Sequence, residues 1–135
     1  YAVIDTNVLV SALLSSKDDT ATVQVVSKVI RGEIIPVYSN VITKEYREVL
    51  SRKKFGFSGN TIGYLLSAVE KYGILVDPSL SGIILPDMKD LPFYEVVLEK
   101  RDDNTYLVTG NIKHFPKEPF VVTPREFLDI LNENK

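Results

Sequence analysis

The chain has 135 residues, with 16 Lys or Arg against 18 Asp or Glu, and its formal net charge is −2 at pH 7. The length suits one domain with a sizeable core, and the average composition argues against a disordered or low-complexity chain. Because there is no cysteine and only one histidine, disulfides, a thiol nucleophile and zinc sites built on cysteine or several histidines are excluded.

The chain begins with a predicted strand that is followed by two predicted helices. Ala2–Ile4 is a short apolar run that stops at Asp5, as a buried strand of a parallel sheet would. We expect Thr6 to cap the first helix, which extends to about residue 13. A second helical pattern follows residues 18–20 and ends at Gly32.

The rest of the chain continues to alternate strands with helices. Further strands are predicted at residues 34–38, 74–76, 106–109 and 120–122, and helices at 41–51, 61–72, 92–100 and after Thr123 and Pro124. Residues 55–60 and most of 77–91 are predicted loops. We therefore predict a single α/β domain over residues 1–135, in which a mostly parallel β-sheet lies between layers of helices (α/β/α).

Two polar residues follow predicted strands directly. Asp5 comes after the first strand, and Asn111 comes shortly after the strand at residues 106–109. Parallel sheets bind ligands beyond the carboxyl ends of their strands. Asp5 could simply shape a turn or cap a helix, but Thr6 is available as the cap. Since a desolvated carboxylate is costly unless it is paired, we favour a functional role for Asp5.

The helix at residues 41–51 carries one acid beside its apolar stripe. Val41 and Val49 flank Glu45 on the helical wheel. The stripe is extended by Ile42, Tyr46 and Leu50. Glu48 is predicted on the opposite, solvated face, at the spacing of ordinary pairs with Lys44 and Arg52. Glu45 is therefore the acid of this helix that needs a partner, although acids at the edge of a stripe often reach solvent.

A third acidic segment contains Asp87 and Asp90. Taken alone, Asp87 after Pro86 is better explained as a turn residue, and Asp90 as the cap of the next helix. The fold gathers several of these acids at one sheet edge, where carboxylates repel unless a cation bridges them. Oxygen ligands without cysteine or a histidine pair select Mg²⁺ or Mn²⁺, which support phosphoryl transfer.

Four segments together resemble the PIN-domain ribonucleases. They are residues 3–10 (VIDTNVLV), Glu45 on its helix, residues 87–94 (DMKDLPFY) and residues 107–116 (LVTGNIKHFP). Each motif is weak alone, but their order and spacing are specific and cover nearly the whole chain. The pattern is most similar to prokaryotic members described as toxins of toxin–antitoxin pairs.

The resemblance implies a VapC-like fold and Mg²⁺- or Mn²⁺-dependent cleavage of single-stranded RNA. It also implies a cytoplasmic toxin with an antitoxin partner and a homodimeric state. Asp5, Glu45 and Asp90 fall on the family's metal-binding catalytic acids, with Asp5 as the central ligand. No apolar run approaches the ~18 residues that span a bilayer and no leader precedes the first motif, so no membrane partner is expected.

Several positions depart from or add to the family's site. Many members have a fourth acid where this chain has Asn111, which can bind a cation but adds no charge. This puts a second occupied metal position in doubt, although Asp87 could supply the carboxylate. Thr6 and Thr109 fall at hydroxyl-bearing positions that support the acids.

Six basic or histidine residues are candidates for binding RNA. The densest positive region is the group Arg47, Arg52, Lys53 and Lys54, which is also explained by a solvated helix end. His114 is best explained as a loop residue near Phe115, and its alternative is contact with an RNA phosphate together with Lys113. If Asp5, Glu45, Asp87 and Asp90 are committed to one metal site, 14 other acidic residues remain against 16 basic ones. This balance suits the binding of a short single strand better than that of a duplex.

Two other interpretations compete with the ribonuclease. A haloacid-dehalogenase-like phosphatase would use Asp5 as a nucleophile, but that family expects an aspartate at the position of Asn7 and usually a longer chain. The stronger alternative is a catalytically weak or inactive PIN-like binding module that acts through an antitoxin or a homodimer. Asn111 is the feature that supports it.

Overall fold

The structure of the chain, a computed structural model, describes residues 1–133. This part of the chain contains five short strands and six α-helices. In order they are β1 (Ala2–Ile4), α1 (Thr6–Leu14), α2 (Ala21–Ile30), β2 (Val37–Tyr38), α3 (Asn40–Leu50), α4 (Gly59–Tyr72), β3 (Ile74–Leu75), α5 (Leu91–Glu99), β4 (Tyr106–Val108), β5 (Val121–Val122) and α6 (Pro124–Glu133). Within these residues, no helix has both the length and the apolar composition that crossing a membrane requires.

The strands form a parallel arrangement with β1 at its centre. β1 pairs with β4, which pairs with β5, and β2 pairs with β3, each time in parallel. A parallel bridge between Ala2 and Pro36 joins the two groups, so the strand order is β3-β2-β1-β4-β5. The predicted fold class, an α/β fold with a mostly parallel sheet, is therefore confirmed. Asp5 leaves the central strand at its carboxyl end.

Helices pack on the strands and close the core around them. α5 contacts β1, β2 and β4, while α6 contacts β4 and α2. All three side chains of β1 are buried, which explains why this strand is apolar throughout rather than alternating. The hydroxyl of the buried Tyr46 donates a hydrogen bond to the carbonyl of Ile4. This contact attaches α3 to the end of β1, next to Asp5.

Side chains at the helix starts explain most of the helix boundaries. Thr20, Ser39 and Ser58 each accept a hydrogen bond from the backbone N–H three residues later. Ser58 makes α4 begin at Gly59, two residues before the predicted start. At α6, Thr123 and Glu126 exchange side-chain and backbone hydrogen bonds in a capping box.

Two details of the prediction are wrong. Thr6 does not cap α1, because Asp5 occupies the cap position and Thr6 is already helical. The side chain of Asp5 makes no cap hydrogen bond, and the Thr6 hydroxyl points to Glu45 instead. The strand predicted at residues 34–38 is confined to Val37–Tyr38, since Pro36 has no N–H for a ladder and Ile35 is 37% exposed.

Candidate functional site

The carboxyl ends of β1 and β4 bring Asp5 and Thr109 together. Asp5 is only 6% exposed, and its backbone N–H donates to the carbonyl of Val108 at 2.9 Å. Oδ2 of Asp5 accepts hydrogen bonds from Oγ1 of Thr109 at 2.8 Å and from Nδ2 of Asn7 at 3.2 Å. Asp5 therefore lies at the carboxyl edge of the sheet, where Thr109 and Asn7 orient its carboxylate.

The environment of Asp5 opposes its ionisation. Burial is the main cause that raises its pKa to about 6, and the negative charges of Asp90 and Glu45 act in the same direction. The hydrogen bond from Thr109 acts against this rise, because it stabilises the charged form. Asp5 is thus an acid whose pKa is raised by burial and by neighbouring negative charges, a combination that marks candidate functional sites.

Glu45 reaches the same site from α3. It is half-buried, and Oε2 accepts a hydrogen bond from the hydroxyl of Thr6. Burial, followed by the charges of Asp90 and Glu48, raises the pKa of Glu45, whereas the Thr6 hydrogen bond and Arg52 lower it.

The face of α3 differs in one respect from the predicted wheel. Its buried stripe consists of Ile42, Tyr46 and Leu50. Val41 was predicted to flank Glu45 on this stripe, but it is 59% exposed. Val41 lies in the first turn of α3 and lines an open cleft next to β3. Glu48 is exposed, as predicted.

Asp87 and Asp90 have different local roles just before α5. Oδ1 of Asp87 accepts the backbone N–H of Lys89 at 3.0 Å, which is the turn-shaping role predicted for it. Asp90 stands at the cap position of α5 but makes no side-chain cap hydrogen bond, so its predicted cap role is wrong. The carboxylate of Asp90 is left to face Asp5, Glu45 and His114.

His114 lies beside Asp90, a contact that neither interpretation of the histidine included. Its Nδ1 is 3.2 Å from Oδ2 of Asp90, and its side chain is 46% exposed. Burial and the charge of Asp87 raise the pKa of Asp90, and His114 lowers it. The two residues are 24 positions apart, and the sequence contains no local signal that pairs them.

Asn7 is a site residue that the sequence analysis did not select. Its amide bridges two segments, because Nδ2 donates to Asp5 while Oδ1 accepts the N–H of Gly110 at 3.1 Å. A signal for Asn7 was present in the sequence, since Asn7 lies two residues after Asp5 at the start of a helix.

Asn111, a predicted metal ligand, contacts the site through its backbone. It donates its backbone N–H to Oγ1 of Thr109 at 3.0 Å, and its side chain is exposed.

The basic candidates are divided between different surfaces. Arg52 is near enough to Glu45 to lower its pKa, and Lys53 and Lys54 are exposed on the short turn that follows it. Arg47 instead lines a cleft between α3 and α4. Lys113 is exposed next to His114. The structure therefore places Arg52 and His114 beside the acids, and Arg47 on another face.

The donor set of the site suits a hard divalent cation. Asp5, Glu45 and Asp90 present carboxylate oxygens whose charges destabilise one another, which a cation would reverse. As the side chains stand, no group of three or more acidic or histidine side chains in residues 1–133 is placed to hold one ion. This is compatible with Mg²⁺, which keeps several waters and needs only one or two protein carboxylates.

Comparison with known proteins gives the family. The family model of the PIN domain matches residues 1–113, a range that contains all the acids of the site. No curated protein and no solved structure matches the chain. From the parallel sheet, the acids at its carboxyl edge and this match, the chain belongs to the PIN-domain family, whose members are typically divalent-metal-dependent nucleases.

Proposed function

We propose that the protein is a Mg²⁺- or Mn²⁺-dependent endoribonuclease that hydrolyses phosphodiester bonds of single-stranded RNA. One observation carries this proposal. Asp5, Glu45 and Asp90 come from three separate parts of the chain, yet the charges of Glu45 and Asp90 raise the pKa of Asp5. Asp90 also raises the pKa of Glu45. Ionised carboxylates this close together repel one another and lower the stability of the fold, and a bound cation would compensate for that repulsion.

Each residue of the cluster has a part in the hydrolysis. The cation, when bound, supplies an activated water and stabilises the charge that develops on the phosphate. Asp5 acts as the central ligand, oriented by Thr109 and Asn7. Glu45 lies close enough to Asp5 and Asp90 to orient the attacking water and to accept its proton. Asp90 completes the ligand set.

The charge distribution favours a single strand as the substrate. The net charge of −2 is unlike that of most duplex binders, which carry a net basic surface. Arg52, Lys53 and the imidazole of His114 are all exposed enough to contact phosphates near the acids. A short segment of RNA held near the metal needs no more than such local contacts.

We further propose that the protein is the toxin of a toxin–antitoxin pair and forms a homodimer. The resemblance of its motifs to such toxins supports this. A group of exposed apolar side chains beside the edge strand β3 supports a protein partner, and it includes Val41, Leu75 and Leu80. A small adjacent reading frame for a DNA-binding antitoxin, and copurification of its product with this chain, would test the pairing.

The central experiment measures cleavage of single-stranded RNA by the purified protein with Mg²⁺ or Mn²⁺ and with EDTA. We expect metal-dependent cleavage that is lost in Asp5→Asn and retained in Glu48→Gln, a matched acid on the exposed face of α3. A duplex of the same sequence should be cleaved more slowly. Equal activity of the wild type and Asp5→Asn would point to a contaminating nuclease and refute the site.

One observation favours the second candidate, an inactive binding module. Asn111 brings no charge where many members have a fourth acid, and its exposed side chain does not cap the turn that follows. The binding module predicts neither Mn²⁺ binding nor cleavage, together with unchanged binding of a protein partner by Asp5→Asn. The nuclease predicts Mn²⁺ binding that Asp5→Asn abolishes.

A further inference from the structure

An open cleft of about 660 Å³ adjoins the acidic site between α1 and the end of α3. Its volume is in the range of small-ligand pockets. Six of the residues that form it are Thr6, Asn7, Val10, Leu14, Val49 and Phe55. Thr6 and Asn7 are the same residues that contact Glu45 and Asp5, so the cleft and the acidic site share a wall.

Phe55 is placed to serve as a stacking surface. Its ring stacks on that of Phe57 with centroids 5.5 Å apart and an interplanar angle of 12°. Phe57 packs against the hydrophobic core, whereas Phe55, among the described residues, is not part of that packing. Phe55 is half-buried and lines the cleft, so its position is fixed by Phe57 while part of its surface remains accessible.

Positive charges surround this aromatic residue. Nζ of Lys54 lies over the Phe55 ring, 5.1 Å from its centroid, so a base that stacked on this ring would displace the long side chain of Lys54. Lys53 is exposed in the same short turn. Arg52 precedes the turn and is close enough to lower the pKa of Glu45. A strand that left the acidic site toward the cleft would therefore pass cations that attract its phosphates.

The polar side chains of the cleft are already engaged. Thr6 donates to Glu45, and both atoms of the Asn7 amide are used by Asp5 and Gly110. The hydroxyls of Ser11 and Ser15 bond to Thr22 and to the backbone of Lys17. Few groups are therefore free to read the hydrogen-bonding edge of a ligand, which leaves apolar contact and stacking as the means of binding.

We propose that this cleft binds an unpaired nucleobase of the RNA, stacked on Phe55, next to the phosphate that is cleaved. The proposal rests on the proposed function and extends it with a subsite that selects single strands. A base within a duplex cannot enter the cleft, since its faces are covered by its neighbours. Because stacking accepts every base, the subsite selects for strandedness and only weakly for sequence.

The first test measures binding without cleavage. Single-stranded RNA oligonucleotides that carry 2-aminopurine at successive positions are titrated with Asp5→Asn, and stacking is read as loss of fluorescence. We expect strong quenching at one position. Adding Phe55→Ala should remove that quenching and weaken RNA binding by about 5- to 150-fold. Phe55→Tyr should preserve both the quenching and the RNA affinity. Tyr64→Ala should preserve them too, because it removes a 66% exposed aromatic ring on α4, which is not part of the cleft lining.

The second test measures the KM of cleavage by the wild type and, for comparison, by Phe55→Ala. The wild type is given oligonucleotides with one abasic nucleotide at successive positions around the cleavage point, and KM should rise most at the position that 2-aminopurine identified. Unchanged quenching and KM in Phe55→Ala, with RNA still cleaved, would overturn the subsite and leave the proposed function intact. Quenching that depends on Phe55, found together with a wild type that does not cleave RNA, would support the subsite and refute the nuclease.

Discussion

The hydroxyl of Thr109 donates a hydrogen bond of 2.8 Å to Oδ2 of Asp5, across 104 positions of sequence. The contact exists because β1 and β4 are adjacent and parallel, with Ile4 opposite Val108, so both strands end at the same edge. It stabilises the charged form of a carboxylate whose ionisation burial opposes. The sheet register thus determines both the position and the ionisation of the central acid.

The first prediction concerns the stability of Asp5→Asn. The pKa of Asp5 is about 6 in the folded chain against 3.8 ordinarily, so the folded state binds more protons between these values. The free energy of unfolding must then fall as the pH rises from about 4 to about 6, and stay lower above that. Asp5→Asn cannot ionise, so it does not lose stability in this way. It should be more stable than the wild type by up to about 3 kcal/mol at pH 7.

Urea denaturation in EDTA at pH 4 and pH 7 measures this difference. At pH 4 the two proteins should differ by only about 0.5 kcal/mol, because Asp5 is almost fully protonated in the folded chain and about two-fifths protonated in the unfolded chain. Added Mg²⁺ should stabilise the wild type but not the variant. A wild type that is as stable as Asp5→Asn at pH 7 would show that the carboxylate carries no such cost.

The second prediction concerns Thr109. Thr109→Val keeps the shape of the buried side chain but removes the donor to Asp5, so the pKa of Asp5 should rise. Mn²⁺ binding, followed by titration calorimetry between pH 6 and pH 8, should then need a pH higher by about one unit or more. Thr109→Ser should restore the wild-type profile. A loss of affinity that does not depend on pH would mean that Thr109 acts only through packing.

The third prediction compares two acids on one helix. Glu45→Gln should weaken Mn²⁺ binding, because Glu45 faces Asp5 and Asp90. Glu48→Gln removes the same charge from the exposed face of α3 and should leave the affinity nearly unchanged. Calorimetric titrations of the two variants under identical conditions decide the point. The reverse order of effects would refute the assignment of Glu45 to the site.

The fourth prediction concerns Tyr46, whose buried hydroxyl donates to the carbonyl of Ile4. Tyr46→Phe removes this bond without removing the ring, and should lower the free energy of unfolding by about 1 kcal/mol. Tyr64→Phe, at a position 66% exposed, is the control and should have no measurable effect. Equal stability of the two variants in urea denaturation would show that the bond between α3 and β1 contributes nothing.

Local signals in the sequence predicted most of the fold. Apolar runs that stop at polar residues located the strands, and Gly32 and Thr123 marked helix ends through capping chemistry that operates within a few residues. Two of the errors depend on tertiary contacts. Thr6, predicted as a cap, donates its hydroxyl to Glu45 instead, and Val41, predicted on the apolar stripe, is exposed beside an open cleft.

The sequence by itself determined which residues could form a metal site, because the types and order of the acids are visible without coordinates. Only the tertiary structure decided which side chains of distant segments lie next to one another. The contacts of Asp90 with His114, of Asn7 with Gly110, and of Phe55 with a cleft that opens at Thr6 join distant segments. The physical reason is that strand pairing and helix packing, which no local pattern encodes, set the distances between such segments.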